Sequence, residues 1–82
     1  MDEKGKKLLK RLGEEIVKIR REKLDSNNRP WSQEEFADRA GIHRTFAGSI
    51  ERGERNMSFL NLIRICETLQ IKPSELLERI KL

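Results

Sequence analysis

The sequence lacks most of the residues on which disulfide-bonded, metal-binding and membrane proteins depend. Its 82 residues include one cysteine, Cys66, so no disulfide can form within the chain, as is usual in a reducing cytoplasm. One cysteine and one histidine cannot supply the ligands of a zinc site. No apolar run approaches the roughly 20 residues that span a membrane, and no signal peptide is visible. We therefore expect a cytoplasmic protein with no metal site and no membrane association.

Composition also argues against an enzyme and in favour of a small helical domain. No nucleophile, base and acid form a pattern typical of catalysis, so we expect neither enzymatic activity nor a cofactor. Tyrosine is absent and β-branched runs are scarce, which favours an all-α fold. With 35% hydrophobic and 39% charged residues, positions 1–82 should form a single domain. The net charge of +4 is compatible with a polyanionic partner but is not diagnostic.

The segment Trp31–Gly53 has the pattern of helix, tight turn and helix. Ser32 and Glu35 have the spacing of a capping box at the start of the first helix. Gly41 supplies a left-handed residue that ends this helix at little cost. The second helix should run from about His43 to Glu51.

The second helix of this segment has two distinct faces. Phe46, Ala47 and Ile50 form a packing stripe. The outer stripe contains Arg44, Thr45, Gly48, Ser49 and Arg52. Solvated helix faces are usually filled with Glu, Lys and Gln, whereas small residues beside an arginine suit close approach to another surface. The major groove of DNA admits one helix, and an arginine fork matches the O6/N7 edge of guanine, so this face favours DNA recognition.

The remaining segments also predict helices. Apolar spacing indicates a first helix over about 5–23, which Gly13 interrupts at modest cost, and residues 1–11 look like a basic amino-terminal extension. This extension is either solvated or in contact with DNA phosphates. Residues 25–30 form a loop, either a spacer or a means of bringing Asn28 and Arg29 toward the DNA backbone. Ser58 should cap a fourth helix, and a fifth should begin near Pro73.

The carboxyl-terminal helices carry more apolar surface than one small core needs. In the fourth helix we expect a core stripe of Phe59, Leu62, Ile65, Cys66 and Leu69. Leu60 and Ile63 widen the apolar arc of this helix to roughly 220°, whereas the apolar arc of a typical surface helix is about 100°. This surplus predicts a homodimer. The predicted interface comprises Leu60, Ile63, Leu76, Leu77 and Ile80.

The stretch SQEEFADRAGIHRTFAGSIERGERN resembles the helix-turn-helix of lambda-repressor/Cro-like (XRE) transcriptional regulators. The resemblance rests on the joint pattern of Gln33, Ala37, Gly41, Ile50, Glu51 and Gly53. Within that family, RTFAGSIERGERN is most similar to the controller proteins of restriction-modification systems. The resemblance implies a five-helix lambda-repressor-like domain with its helix-turn-helix at about 32–52. It further implies a DNA-binding transcriptional regulator whose dimer binds a two-fold operator.

The helix faces and the family resemblance together predict a set of DNA-contacting residues. We expect Arg44, Thr45 and Ser49 to contact bases, although Arg44 could instead pair with a nearby acid, and Thr45 and Ser49 could be ordinary surface residues. The expected phosphate contacts are Gln33, His43, Arg52, Arg55 and Asn56. The resemblance supplies the last three, supports Gln33, and implies that Gln33 also steadies the second helix of the motif. A helix-capping role or partial burial is the alternative for His43.

The resemblance also implies two roles outside the DNA surface. Arg20 and Glu51 occupy positions that form a partly buried ion pair in relatives, which would lock the second helix of the motif onto the first helix of the chain. Glu34 and Asp38 form an acidic patch that could contact RNA polymerase, or simply reflect the preference for acids near a helix amino end. The alternative functions are an antitoxin-type autoregulator that binds a toxin partner and a phage-type repressor.

Overall fold

The computed structural model describes residues 2–82, and its regular structure consists of five helices within that range. These are α1 (Glu3–Glu22), α2 (Gln33–Ala40), α3 (Arg44–Glu51), α4 (Phe59–Leu69) and α5 (Pro73–Arg79). The extended backbone between α1 and α2 makes one isolated antiparallel bridge, between Leu24 and Pro30. None of the described helices is both long enough and apolar enough to cross a membrane. The all-α, five-helix prediction is confirmed.

The helix ends follow the local chemistry of the sequence. The hydroxyl of Ser32 accepts a hydrogen bond from the backbone N–H of Glu35 at 3.0 Å, which caps α2. Gly41 ends the same helix with φ of 68°, as expected. The reciprocal half of the predicted capping box does not form among the described residues, and the carboxylate of Glu35 accepts a hydrogen bond from Arg39 at 2.8 Å instead. A single hydroxyl cap is therefore what begins α2.

The core lies where all five helices meet. Helix α3 packs on α1 and α2, α4 packs on α2 and α5, and α5 also packs on α1. The largest fully buried side chains are Phe36, Ile16, Ile50, Ile65, Leu69, Leu76 and Cys66. Burial raises the pKa of the Cys66 thiol, because the charged thiolate is poorly solvated there. The cysteine therefore stays protonated and acts as a small apolar residue of the core.

Gly13 is a packing residue and not merely a helix interruption. A Cβ atom at this position would lie 2.5 Å from the carbonyl oxygen of Glu51 and 2.6 Å from that of Ile50. Both oxygens belong to backbone that cannot easily move. Helix α1 therefore touches the carboxyl end of α3 directly, which holds α3 close to the body of the protein.

Two apolar predictions for α4 and α5 are wrong. Phe59 was expected in the core, but it is 71% exposed and lies on the same face of α4 as Leu60, which is 76% exposed. Leu76 and Ile80 were expected at a dimer interface, but they are 0% and 4% exposed. Helix α5 packs against α1 and α4, and these two residues belong to the buried core. The most exposed apolar side chains of α4 therefore lie in its amino-terminal half.

The loop between α1 and α2 is held by its own hydrogen bonds. The carboxylate of Asp25 accepts from the backbone N–H groups of Asn27 and Arg29 at 2.8 and 2.9 Å. The N–H of Trp31 donates to the carbonyl of Lys23 at 2.9 Å, which brings the end of α1 to the start of α2. The loop thus fixes the spacing between these helices while its polar tip remains exposed.

Candidate nucleic-acid interface

A buried ion pair connects α1 to α3. The guanidinium of Arg20 donates to both carboxylate oxygens of Glu51, through Nε at 2.7 Å and Nη2 at 3.0 Å. Its Nη1 donates to the carbonyl of Trp31 at 2.8 Å. Both charged residues are less than a tenth exposed. The predicted structural pair is present in the described chain, and Arg20 uses its planar fork to hold three segments at once.

Gln33 joins this network from the start of α2. Its Nε2 donates to Glu51 Oε1 at 3.0 Å, so the last residue of α3 is tied to the first residue of α2. Gly48 makes room for this arrangement, since a Cβ there would lie 3.2 Å from Gln33 Oε1 and 3.0 Å from an Arg52 nitrogen. Gly48 is buried, and the atoms nearest to it are the ends of these two flexible side chains. The network fixes the angle between the two helices of the motif.

Arg44 and Thr45 lie on the exposed side of the first turn of α3. The side chain of Arg44 is 68% exposed, and its Nη1 lies 3.6 Å from a carboxylate oxygen of Glu34, which is 67% exposed. The ion pair considered as an alternative is therefore present. Solvent-exposed pairs contribute only about 0–1 kcal/mol, so this contact leaves Arg44 free to exchange Glu34 for another acceptor.

Ser49 is less available than its place in the outer stripe suggested. It is half-buried, and its hydroxyl donates to the carbonyl of Phe46 at 2.7 Å. A hydroxyl has one hydrogen, so Ser49 retains only acceptor capacity in this conformation. A base contact by Ser49 stays a prediction, now restricted to a donor group on the base.

His43 is the amino-terminal cap of α3, so the helix begins at Arg44, one residue after the expected start. Its Nδ1 accepts a hydrogen bond from the N–H of Thr45 at 3.0 Å. With Nδ1 as acceptor, the neutral imidazole carries its proton on Nε2, which can donate to an outside group. The ring is exposed, so capping and a phosphate contact are compatible.

Six residues from α2, α3 and their flanks line one open depression, which we call the polar concavity. Its residues are Gln33, His43, Arg44, Thr45, Gly48 and Arg52. The concavity thus brings together five of the eight residues predicted to contact DNA. Ser49 does not line it, and Arg55 and Asn56 follow on the exposed segment after α3. Arg55 lies over the ring of Phe46, 5.0 Å from its centroid.

Some determinants of this site were missed by sequence reasoning. The resemblance implied that Gln33 steadies the second helix of the motif, but its partner, Glu51, was not predicted. The third arginine contact, to Trp31, and the close packing at Gly13 and Gly48 were not predicted either. The available signal was the presence of glycine inside two helices, where it costs about 1 kcal/mol relative to alanine. Such a cost in a helix interior usually has a packing reason. Within residues 2–82, no group of three or more His, Cys, Asp and Glu side chains is placed to hold a metal ion.

The fold and the polar concavity together define a helix-turn-helix protein of the DNA-binding class. The family profile described as Helix-turn-helix matches residues 27–76, which is more than half of the chain, so the chain belongs to this family. Its relatives point to one branch of the family. The chain is 42% identical to the control protein C.MunI from a Mycoplasma species over 71 residues, which cover 87% of this chain and 89% of the relative.

Two further similarities agree with this placement. The chain is 39% identical to the control protein C.BamHI from Bacillus amyloliquefaciens over 61 residues, covering 74% of this chain and 73% of the relative. The crystal structure of the restriction-modification controller protein C.AhdI from Aeromonas hydrophila superimposes with a TM-score of 0.72. That match has 34% sequence identity and covers 83% of this chain and 94% of the other. The predicted resemblance to XRE-type regulators, and among them to controller proteins, is confirmed.

Loss of the buried carboxylate should destabilise the protein strongly. In Glu51→Gln, Arg20 would keep its charge in a buried site without an anionic partner, which we expect to lower the free energy of unfolding by roughly 3–5 kcal/mol. Urea denaturation followed by circular dichroism measures this change. The matched control is Glu54→Gln, which breaks a pair with Arg52 of 3.1 Å whose partners are both more than half exposed. The control should lose at most about 1 kcal/mol. Equal losses in the two variants would contradict a structural role for Glu51.

Proposed function

We propose that this protein is a controller-type transcriptional regulator that binds a two-fold operator as a homodimer and has no catalytic activity. The observation that carries the proposal is the polar concavity, in which Arg44 and Thr45 stand exposed beside Gln33 and Arg52. An arginine at the amino-terminal turn of a helix that enters the major groove can bind the O6/N7 edge of guanine. Thr45, its neighbour, offers a hydroxyl and a methyl group to the next base.

Phosphate contacts flank this base-reading turn in the proposal. The amide nitrogen of Gln33 carries two hydrogens, and donation of one to Glu51 leaves the other for a phosphate. The free backbone N–H groups at the start of α2 favour the same anion. His43 and Arg52 lie at opposite ends of α3 and would hold the two backbones, with Arg55 and Asn56 on the segment that follows. These contacts set the register of α3 in the groove but carry no base information.

The proposed dimer uses the exposed apolar surface of α4. Phe59, Leu60 and Ile63 share one face of this helix by their spacing of three and four residues, and the first two are more than two-thirds exposed. Leu77 of α5 is half-buried and remains a candidate, whereas Leu76 and Ile80 are excluded by their burial. A two-fold pair would place two α3 helices about 34–36 Å apart, one turn of duplex DNA.

A contact with RNA polymerase through Glu34 and Asp38 is a further part of the proposal. The two acids are exposed and four residues apart on α2, so they lie on one face of that helix. Glu34 also lies within 3.6 Å of Arg44. A base contact by Arg44 would release Glu34 from this pair and leave the acidic patch free for a partner.

Substitution of Arg44 tests the DNA-binding proposal. The variant Arg44→Ala should lose roughly 1–3 kcal/mol of binding to a duplex selected from a random pool, together with the preference for one base pair. Fluorescence anisotropy with the selected and random duplexes measures both effects. Lys18→Ala is the control, since Lys18 is a 69% exposed cation on α1 that pairs with Glu15 outside the polar concavity. Wild-type affinity and specificity in Arg44→Ala would contradict a base contact by Arg44. In the antitoxin-type alternative, binding of a toxin partner should survive the same change.

Substitution of Leu60 tests the dimer. The variant Leu60→Glu places a charge on a surface residue that is 76% exposed in the monomer, so the fold should persist while the apolar interface is lost. Analytical ultracentrifugation at micromolar concentration should find a wild-type dimer and a monomeric variant. Leu24→Glu is the matched control, because Leu24 is 54% exposed on the loop before α2. A monomeric wild-type protein, or dimers in Leu60→Glu, would overturn the proposed interface.

A further inference from the structure

The amino-terminal turns of α1 run past the end of α3. The turn that follows α3 packs directly on them at Gly53, which has a φ of 74°. A Cβ atom at Gly53 would lie 2.6 Å from the Cα of Lys10 and 2.9 Å from its backbone nitrogen. The close packing holds α1, at Leu9 and Lys10, against the turn that follows α3.

This packing creates a second open depression, which we call the α1 surface. It is lined by Lys6, Leu9, Lys10, Arg52, Gly53 and Glu54. Arg52 also lines the polar concavity, so the two surfaces meet at this residue. Lys6 and Lys10 are four residues apart and therefore share one face of α1, roughly 6 Å apart along the helix axis.

The α1 surface carries excess positive charge. Within residues 2–82, no carboxylate lies within 4.0 Å of the amino group of Lys6 or Lys10, and both residues are exposed. The acid that lines the surface is Glu54, which pairs with Arg52 at 3.1 Å. Glu3, in the first turn of α1, is exposed as well. Three cations therefore face one acid on the lining of this surface.

We propose that Lys6 and Lys10 extend the DNA interface and bind backbone phosphates beside the base pairs that α3 contacts. The inference rests on the proposed function, because it takes α3 to lie in the major groove with Arg52 near a phosphate. Lysine binds phosphate as a compact point charge and needs no fixed geometry. Two lysines on one helix face can neutralise different phosphates of one strand, which adds affinity without adding sequence information.

The salt dependence of DNA binding tests this inference. Each phosphate contact contributes about 0.9 to the slope of log affinity against log salt concentration, so Lys6→Ala/Lys10→Ala should reduce the slope by about 1.8 per bound protomer. The measurement uses the full chain, a duplex selected from a random pool and a random-sequence duplex of the same length. The ratio of the two affinities should stay at the wild-type value, since the bases are contacted by other residues.

Lys4→Ala/Arg11→Ala is the matched control. It removes two charges from exposed residues of the same helix that lie roughly 130° around the axis from Lys6 and Lys10. Both double variants should retain the wild-type circular dichroism spectrum, because alanine favours helix. The slope of the control should stay close to the wild-type slope.

Three outcomes overturn the inference. An unchanged slope in Lys6→Ala/Lys10→Ala excludes the phosphate contacts. An equal reduction of the slope in the control shows that the effect comes from the net charge of the protein and not from these two lysines. If either occurs while wild-type binding still depends on Arg44, only this inference fails. If the wild-type protein binds neither duplex, the proposed function fails together with it.

Discussion

The buried pair of Arg20 and Glu51 is the interaction on which the rest of the site depends. Two charges removed from water are costly, and their attraction offsets that cost only when the geometry is good and the remaining polar atoms are satisfied. Here the guanidinium makes two hydrogen bonds to the carboxylate and a third to the carbonyl of Trp31, and Gln33 donates to the same carboxylate. The network therefore stabilises one relative arrangement of α1, α2 and α3, which a purely apolar contact would specify less strictly.

The exposed charges of the motif behave in the opposite way. The contacts of Arg44 with Glu34 and of Arg52 with Glu54 are 3.6 and 3.1 Å long and lie in solvent, so each is weak and can be exchanged for a nucleic-acid contact. The buried network therefore holds the backbone of α3 in place, while the arginine side chains at its two ends remain exposed to solvent. A preorganised backbone with exposed cationic side chains suits recognition of a charged polymer.

Much of the fold could be predicted because its signals are local. Helix α2 begins after the hydroxyl cap of Ser32 and ends at the left-handed Gly41, as these residue types predict. The apolar arc of α4 could not be resolved from its own sequence, because the position of neighbouring helices decides which side is buried, and Phe59 fell on the open side. The hydroxyl bond of Ser49 and the contact of Gly13 with α3 depend on three-dimensional distances that no spacing rule contains. The ion pair was predicted only through family resemblance, since its members are 31 residues apart.

The most direct test of the account is a crystal structure of the protein bound to a duplex selected from a random pool. The account predicts that α3 lies in the major groove, that the guanidinium of Arg44 is within hydrogen-bond distance of a base edge, and that Arg20 and Glu51 remain paired as they are in the free protein. A complex in which the DNA contacts another face, or in which the buried pair separates and α3 turns away from the groove, would contradict it.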